Sequence, residues 1–173
     1  MYYFKLLVFT LTLLSFAHLR CCFEAKPQSK SNQRNYLLYN KHGHYLAIHS
    51  DGSVDATLNT SSIDVVVQLQ SFGVKFKRIR KPGSFYLAMN DEGEVVTRKN
   101  PGPDTMFIEH LDDQSWVWYE SYTNGYILAL TEDYTTRDKL KAKNHTRPKE
   151  HKTDTQFLQL DVPWKLRKQL KKN

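Results

Sequence analysis

A ten-residue phrase returns at a fixed interval and limits what this chain can fold into. Residues 45–54 read "YLAIHSDGSV", residues 86–95 read "YLAMNDEGEV" and residues 127–136 read "ILALTEDYTT", each copy 41 residues after the last. Within each copy apolar residues alternate: Leu46 and Ile48, Leu87 and Met89, Leu128 and Leu130, with Ala47, Ala88 and Ala129 between them. A period of two predicts a strand that turns one face to the core. Asp51-Gly52 and Glu92-Gly93 follow as tight-turn dipeptides, and Val54 and Val95 resume beyond them, so each phrase predicts a hairpin. The third copy has Asp133-Tyr134 where the glycine should stand, so its turn must differ.

A second hairpin fills the rest of each interval. Ile63, Val65, Val67 and Leu69 alternate with polar partners, "SFG" turns the chain, and "VKFKRI" returns. In the next interval "TMFIEHL" (residues 105–111) runs into Asp112-Asp113-Gln114 and comes back as "WVWYES". Ile108 lies 41 residues after Val67, which places the two at equivalent positions. In the third interval "TQFLQL" (residues 155–160) goes out, and "NYLLY" (residues 35–39) at the start of the domain supplies the return. That interval is longer by about nine residues, all in a basic stretch. Three repeats of four strands, with first and last strands paired, describe an all-β domain with pseudo-threefold symmetry, a β-trefoil. Closure removes exposed sheet edges, and units that cannot bury a face alone must share one core.

The ends divide off from this domain. Lys5 precedes an apolar run of 12 residues, "LLVFTLTLLSFA", too short to span a membrane and shaped like a secretory signal peptide. Small residues place cleavage after Ala17, with Ala25 as a later alternative. Residues 1–17 are therefore a signal, 18–34 a linker, 35–163 the trefoil and 164–173 a basic tail. No second apolar run follows, which predicts a secreted, extracellular product without membrane insertion. Two adjacent cysteines, Cys21 and Cys22, cannot bridge within the domain, so it must be held by its core.

Charge is unevenly placed. The chain carries a formal net charge of +7, of which residues 131–173 supply +6, from 12 Lys and Arg against 6 Asp and Glu. Lys139, Lys141, Lys143, Arg147, Lys149 and Lys152 crowd one loop before the last strand, a pattern that suits a polyanion bound through counterion release. Secretion removes nucleic acid as its natural partner. Asn144-His145-Thr146 in that loop and Asn59-Thr60-Ser61 elsewhere are glycosylation words. The tail "WKLRKQLKKN" either extends the polyanion surface or lies disordered. No catalytic constellation stands out, so an enzyme is not expected and no cofactor is implied. His42 and His44 lack a third ligand nearby in sequence, and Asp112-Asp113 reads as a hairpin turn.

The strand words in order, "NYLLYNKHGHYLAIHSDGSVDA", "VVVQLQ", "FYLAMNDEGEV", "MFIEHL" and "FLQL", resemble the fibroblast growth factors over about residues 35–162. The resemblance implies a secreted ligand, or mitogen, for a receptor tyrosine kinase, with heparan sulfate as co-ligand. It marks Tyr39, Glu109, Trp116, Leu158 and Leu160 for receptor contact. It marks Asn40 and Lys41, with the loop cations, for heparan sulfate. Leu158 and Leu160 lie on the strand face opposite Phe157, so a core Phe157 puts both outside. Thr105 and Pro82 stand where the family carries cysteines, and Trp116 where it carries tyrosine, which marks a divergent member such as an invertebrate or viral one. The competing class is a trefoil lectin. It needs aromatic sugar pockets in every repeat, whereas Trp116 and Trp118 both fall in one interval.

Overall fold

A computed structural model of the chain describes residues 32–130 and 155–172. The signal segment, the cysteines, the turn at Asp133-Tyr134 and the basic loop lie outside the described residues. Among the described residues ten strands follow in chain order: β1 (Asn32–Asn40), β2 (Tyr45–Ile48), β3 (Val54–Thr57), β4 (Val66–Phe72), β5 (Phe76–Arg80), β6 (Tyr86–Met89), β7 (Val95–Arg98), β8 (Phe107–Leu111), β9 (Val117–Ser121) and β10 (Phe157–Asp161).

Six of them close on themselves. β1 pairs with β10, β10 with β9, β9 with β8, β8 with β5, β5 with β4, and β4 returns to β1, all antiparallel. The expected return strand is therefore present: Tyr36 faces Asp161 and Asn40 faces Phe157. Hairpins branch from every second barrel strand. β2–β3 leaves β1 at Tyr39↔Tyr45, β6–β7 leaves β5 at Arg80↔Tyr86, and the third begins beside β9 at Glu120↔Ile127. This is the β-trefoil that the repeat predicts.

The shared core is built in threes. Leu46, Leu87 and Leu128 are sealed from solvent, as are Ile48, Met89 and Leu130, Leu38, Ile79 and Tyr119, and Val67, Phe107 and Phe157. The hairpin caps also lock onto one another. Gly52 (φ 89°) brings its backbone against β7, where Thr97 Oγ1 donates to its carbonyl at 2.7 Å. Gly93 (φ 79°) lies under the Tyr126 ring, and a Cβ there would stand 2.8 Å from it.

Three expectations change. First, Ala47, Ala88 and Ala129 do not face solvent; each is fully buried. A 3-10 turn, Ile63–Val65, covers the outer side of Ala47, which sits in a second apolar cluster with Leu37, Val65, Val66, Val162 and Leu166. Second, β4 starts at Val66, so Ile63 and Val65 belong to that turn. A matching turn, Pro103–Thr105, precedes β8, and its connection is one residue shorter. Phe107, and not Ile108, therefore takes the core place of Val67. Third, the tail does not stand apart: Trp164–Leu170 is a short helix, α1, whose Leu166 is 3% exposed within the second cluster. Burying that one leucine contributes roughly 1.5–3 kcal/mol, and Leu170 packs on the same cluster, which anchors seven residues whose own helix propensity is weak.

Candidate functional site

The β8–β9 turn sets the first part of the site. Asp112 Oδ1 accepts from the backbone N–H of Gln114 (2.9 Å) and of Trp116 (2.8 Å), and Ser115 takes a left-handed φ of 69°. Asp112 thus works as a turn former, as its sequence setting suggests. Its other oxygen accepts from Gln156 Nε2 at 3.1 Å, just ahead of β10. Gln156 is buried and joins three segments: its Oε1 accepts from Lys41 Nζ at 3.1 Å, and its carbonyl from Lys41 N–H and Asn40 Nδ2. Held this way, the Lys41 ammonium lies over the Trp116 ring, 5.3 Å from its centre. A cation over an indole face is favourable by about 0.5–1 kcal/mol at an exposed site.

From this corner an apolar strip runs along the outer face of β1 and β10. Tyr39 pairs with Leu158 and Leu37 with Leu160, all on the side opposite the core residues Leu38 and Phe157. Tyr39 packs its ring against Tyr45 at 5.0 Å. Tyr39, Leu158 and Leu160 are half-buried, with Leu160 leaning on the cluster that α1 completes. Four of the five residues marked for receptor contact thus lie around one seam, joined by Lys41, which was marked for heparan sulfate, and by Tyr45, which the structure adds.

Glu109 reaches this seam from inside. It faces the barrel end, where Lys77 Nζ approaches its Oε2 at 3.1 Å. Gln159 Nε2 donates to its Oε1 at 2.6 Å and to Tyr119 Oη at 2.9 Å. The trefoil repeat puts Leu69, Glu109 and Gln159 at equivalent places, one apolar and two polar. Burial, and then the Glu109 charge beside it, hold the Tyr119 hydroxyl well above its ordinary titration range, so it stays a donor. Gln159 lies between Leu158 and Leu160, so this buried network positions the strip.

Of the residues marked for heparan sulfate, Lys41 is exposed and adjoins the site. Asn40 differs from expectation: it is fully buried, donates to the Gln156 carbonyl and accepts from the His42 N–H at 2.8 Å. An amide spent on shaping the turn holds Lys41 in place and does not itself face solvent. Lys139, Lys141, Lys143, Arg147, Lys149, Lys152 and Asn144 lie outside the described residues. Asn59 is exposed after β3, with its Oδ1 accepting from Ser61 N–H at 3.0 Å. Thr105, where the family carries cysteine, is fully buried and closes its 3-10 turn by bonding both ways to Gly102. Among the described residues no group of three His, Cys, Asp or Glu is placed to hold a metal. No described helix is long and apolar enough to cross a membrane.

A closed six-strand barrel with hairpin caps defines the chain as a β-trefoil, with an aromatic, cation-bearing seam on its β1–β10 side. The fibroblast growth factor family model matches residues 34–158, and the chain belongs to that family. It is similar to fibroblast growth factor 1 of Cynops pyrrhogaster, 35% identical over 94 residues, a match covering 51% of this chain and 62% of that relative. Fibroblast growth factor 1 of Notophthalmus viridescens is 33% identical over 94 residues, covering 51% of this chain and 69% of the relative.

Proposed function

We propose that the chain is a secreted growth factor that binds and activates a receptor tyrosine kinase of the fibroblast growth factor receptor type, with heparan sulfate as co-ligand. The observation that carries this reading is the seam itself. Tyr39, Leu158, Leu160 and Trp116 offer aromatic and aliphatic anchors around one strand pair in a member of the fibroblast growth factor family. Such anchors, ringed by polar groups, are what an interface hot spot requires. Glu109 supplies a carboxylate at its inner edge.

Activation then follows from linked binding without chemistry in the ligand. The sulfated chain is held by Lys41, with Asn40 fixing the turn beneath it, and by Lys139, Lys141, Lys143, Arg147, Lys149 and Lys152. It raises the local concentration of ligand beside its receptor, and two receptors come together. A growth factor is no enzyme, and this reading needs no cofactor beyond the glycan.

The test is receptor phosphorylation on responsive cells, with and without added heparin. The expected result is a heparin-dependent response that Trp116→Ala weakens by at least about tenfold, the scale of a hot-spot truncation. No response from folded protein under either condition would refute the proposal. The lectin alternative predicts saccharide binding with no phosphorylation. It is disfavoured by the asymmetric tryptophans, since Trp118 stacks flat on His110 at 5.1 Å and its repeat partners are not aromatic.

A further inference from the structure

We infer that the far end of the β1–β10 ribbon carries a second anion site, built to take one sulfated sugar unit of an acidic glycan. Arg34, Asn35 and Tyr36 from β1, Asp161 and Val162 from the end of β10, and Arg167 from α1 line a cavity of about 280 Å³. That volume suits a sugar ring with a sulfate. The lining has the chemistry such a unit needs: guanidinium groups for the sulfate, an aromatic ring wall for the sugar face, and a carboxylate and an amide for hydroxyls.

The charges there are largely uncommitted. The Arg34 side chain is exposed and makes no hydrogen bond or ion pair among the described residues. Arg167 is anchored by its Nε, which donates to the Val162 carbonyl at 2.6 Å, and its Nη2 stands 4.0 Å from Asp161. Its fork is thereby fixed at the cavity rim. On the same helix Lys165 and Lys168 are exposed, as are Lys171 and Lys172 just past its end, and no acidic residue lies on α1. Lys168 lies over the exposed Trp164 ring at 4.7 Å. Within the lining one carboxylate, Asp161, thus meets two guanidinium groups, and the lysines of the tail add positive charge nearby in sequence.

This site is separate from the one in the proposed function. Arg34 lies near the start of β1 and Asn40, next to Lys41, at its end, six residues and about 20 Å apart at the ordinary rise of a strand. The inference shares with that reading only the kind of ligand. Receptor activation is not its readout, so either can fail alone.

The probe is a heparin tetrasaccharide titrated calorimetrically into the mature chain at low salt. The expected stoichiometry is two per chain. Arg34→Glu should remove one site, weakening it at least about tenfold, while the melting temperature stays within about 2 °C, because Arg34 has no internal partner. Lys165→Gln with Lys171→Gln, which leaves Arg167 packed, should weaken the same site and lower the salt slope of binding by about 1–2. Lys41→Gln should leave it unchanged. A stoichiometry of one that Arg34→Glu does not alter would overturn the inference. So would retention of the second site by Arg34→Glu, or binding to phosphatidylserine vesicles at a salt concentration that abolishes tetrasaccharide binding.

Discussion

His49 sits between two carboxylates, and its replacement should change stability at acidic pH far more than at alkaline pH. Its Nε2 lies 2.9 Å from Asp55 Oδ2 and its Nδ1 lies 3.1 Å from Asp64 Oδ2. Both acceptors are carboxylate oxygens, so only the imidazolium can donate to both; neutral histidine leaves one of them facing a lone pair. Burial works against the charge, but the hydrogen bonds and attraction of Asp55 and Asp64 outweigh it and raise the His49 pKa above its ordinary 6.5. Asp64 is desolvated too, yet Lys81 foremost, then Ser62 and His49, hold its pKa below the usual carboxylate value. The nearby Asp51 carboxylate adds to the field, and the Lys81 ammonium opposes it at one remove.

The sign follows from linkage. A histidine with a raised folded pKa contributes stability fully present below about pH 6.5, and the contribution is lost as pH rises through the raised value. Two charge-assisted bonds at a site one-third exposed, discounted for screening, amount to about 1–2 kcal/mol. At a few degrees per kcal/mol for a domain of this size, His49→Gln should lower the melting temperature by about 3–8 °C at pH 5.5. By pH 8.5 the difference should shrink to about 2 °C or less. Paired thermal melts of parent and variant at the two pH values measure it. Equal losses at both would refute the clamp and leave His49 a packing residue. The clamp ties the turn after β2 to β3, to the 3-10 turn and, through Lys81, to the second repeat, so this cap should be firmer just below pH 6.5 than above the raised His49 pKa, as long as Asp55 and Asp64 stay ionised.

Two further outcomes follow from single positions. Gly93→Ala should cost about 2–4 kcal/mol, because the left-handed φ is strained for alanine and its Cβ would press on the Tyr126 ring at 2.8 Å, whereas Gly83→Ala, with open space around it, should cost about 1 kcal/mol; urea midpoints compare the two. Secreted from eukaryotic cells, the chain should carry a glycan on the exposed Asn59, seen as a mobility shift that enzymatic deglycosylation and Asn59→Gln both abolish.

The barrel was legible because a period of two and a period of 41 speak to different levels, one fixing strands and the other fixing how units close. The slip at β8 was hidden because Phe107 and Ile108 are adjacent apolar residues, and either satisfies an alternating pattern. Only the length of the preceding turn decides between them. The helix in the tail was hidden for a related reason. Leu166 and Leu170, four apart, are the apolar face of a helix too short to announce itself among five cations. At the site, Leu158 and Leu160 followed from the parity of Phe157, a local rule. The placing of Lys41 over Trp116 did not, since it depends on Gln156 and Asp112 converging from segments that are remote in sequence.

Glu109 is where structure and family resemblance pull in different directions, and one pair of variants separates them. Its carboxylate serves Lys77, Gln159 and Tyr119 inside the barrel, while its side chain keeps 18% exposure at the seam. Glu109→Gln preserves the shape but faces an amide toward an ammonium whose side chain is only 10% exposed, so stability should fall by about 2–4 kcal/mol. Receptor activation should fall with it, which by itself proves nothing about contact. Lys77→Met added to Glu109→Gln removes the stranded cation and should restore at least about half of the lost stability, since an apolar replacement of a buried pair is often near neutral. If Glu109 meets the receptor through its exposed edge, activation stays depressed in the refolded double variant, at least about tenfold below the parent. If activation returns together with the melting temperature, Glu109 is an internal strut, and the receptor seam is Tyr39, Trp116, Leu158 and Leu160 alone.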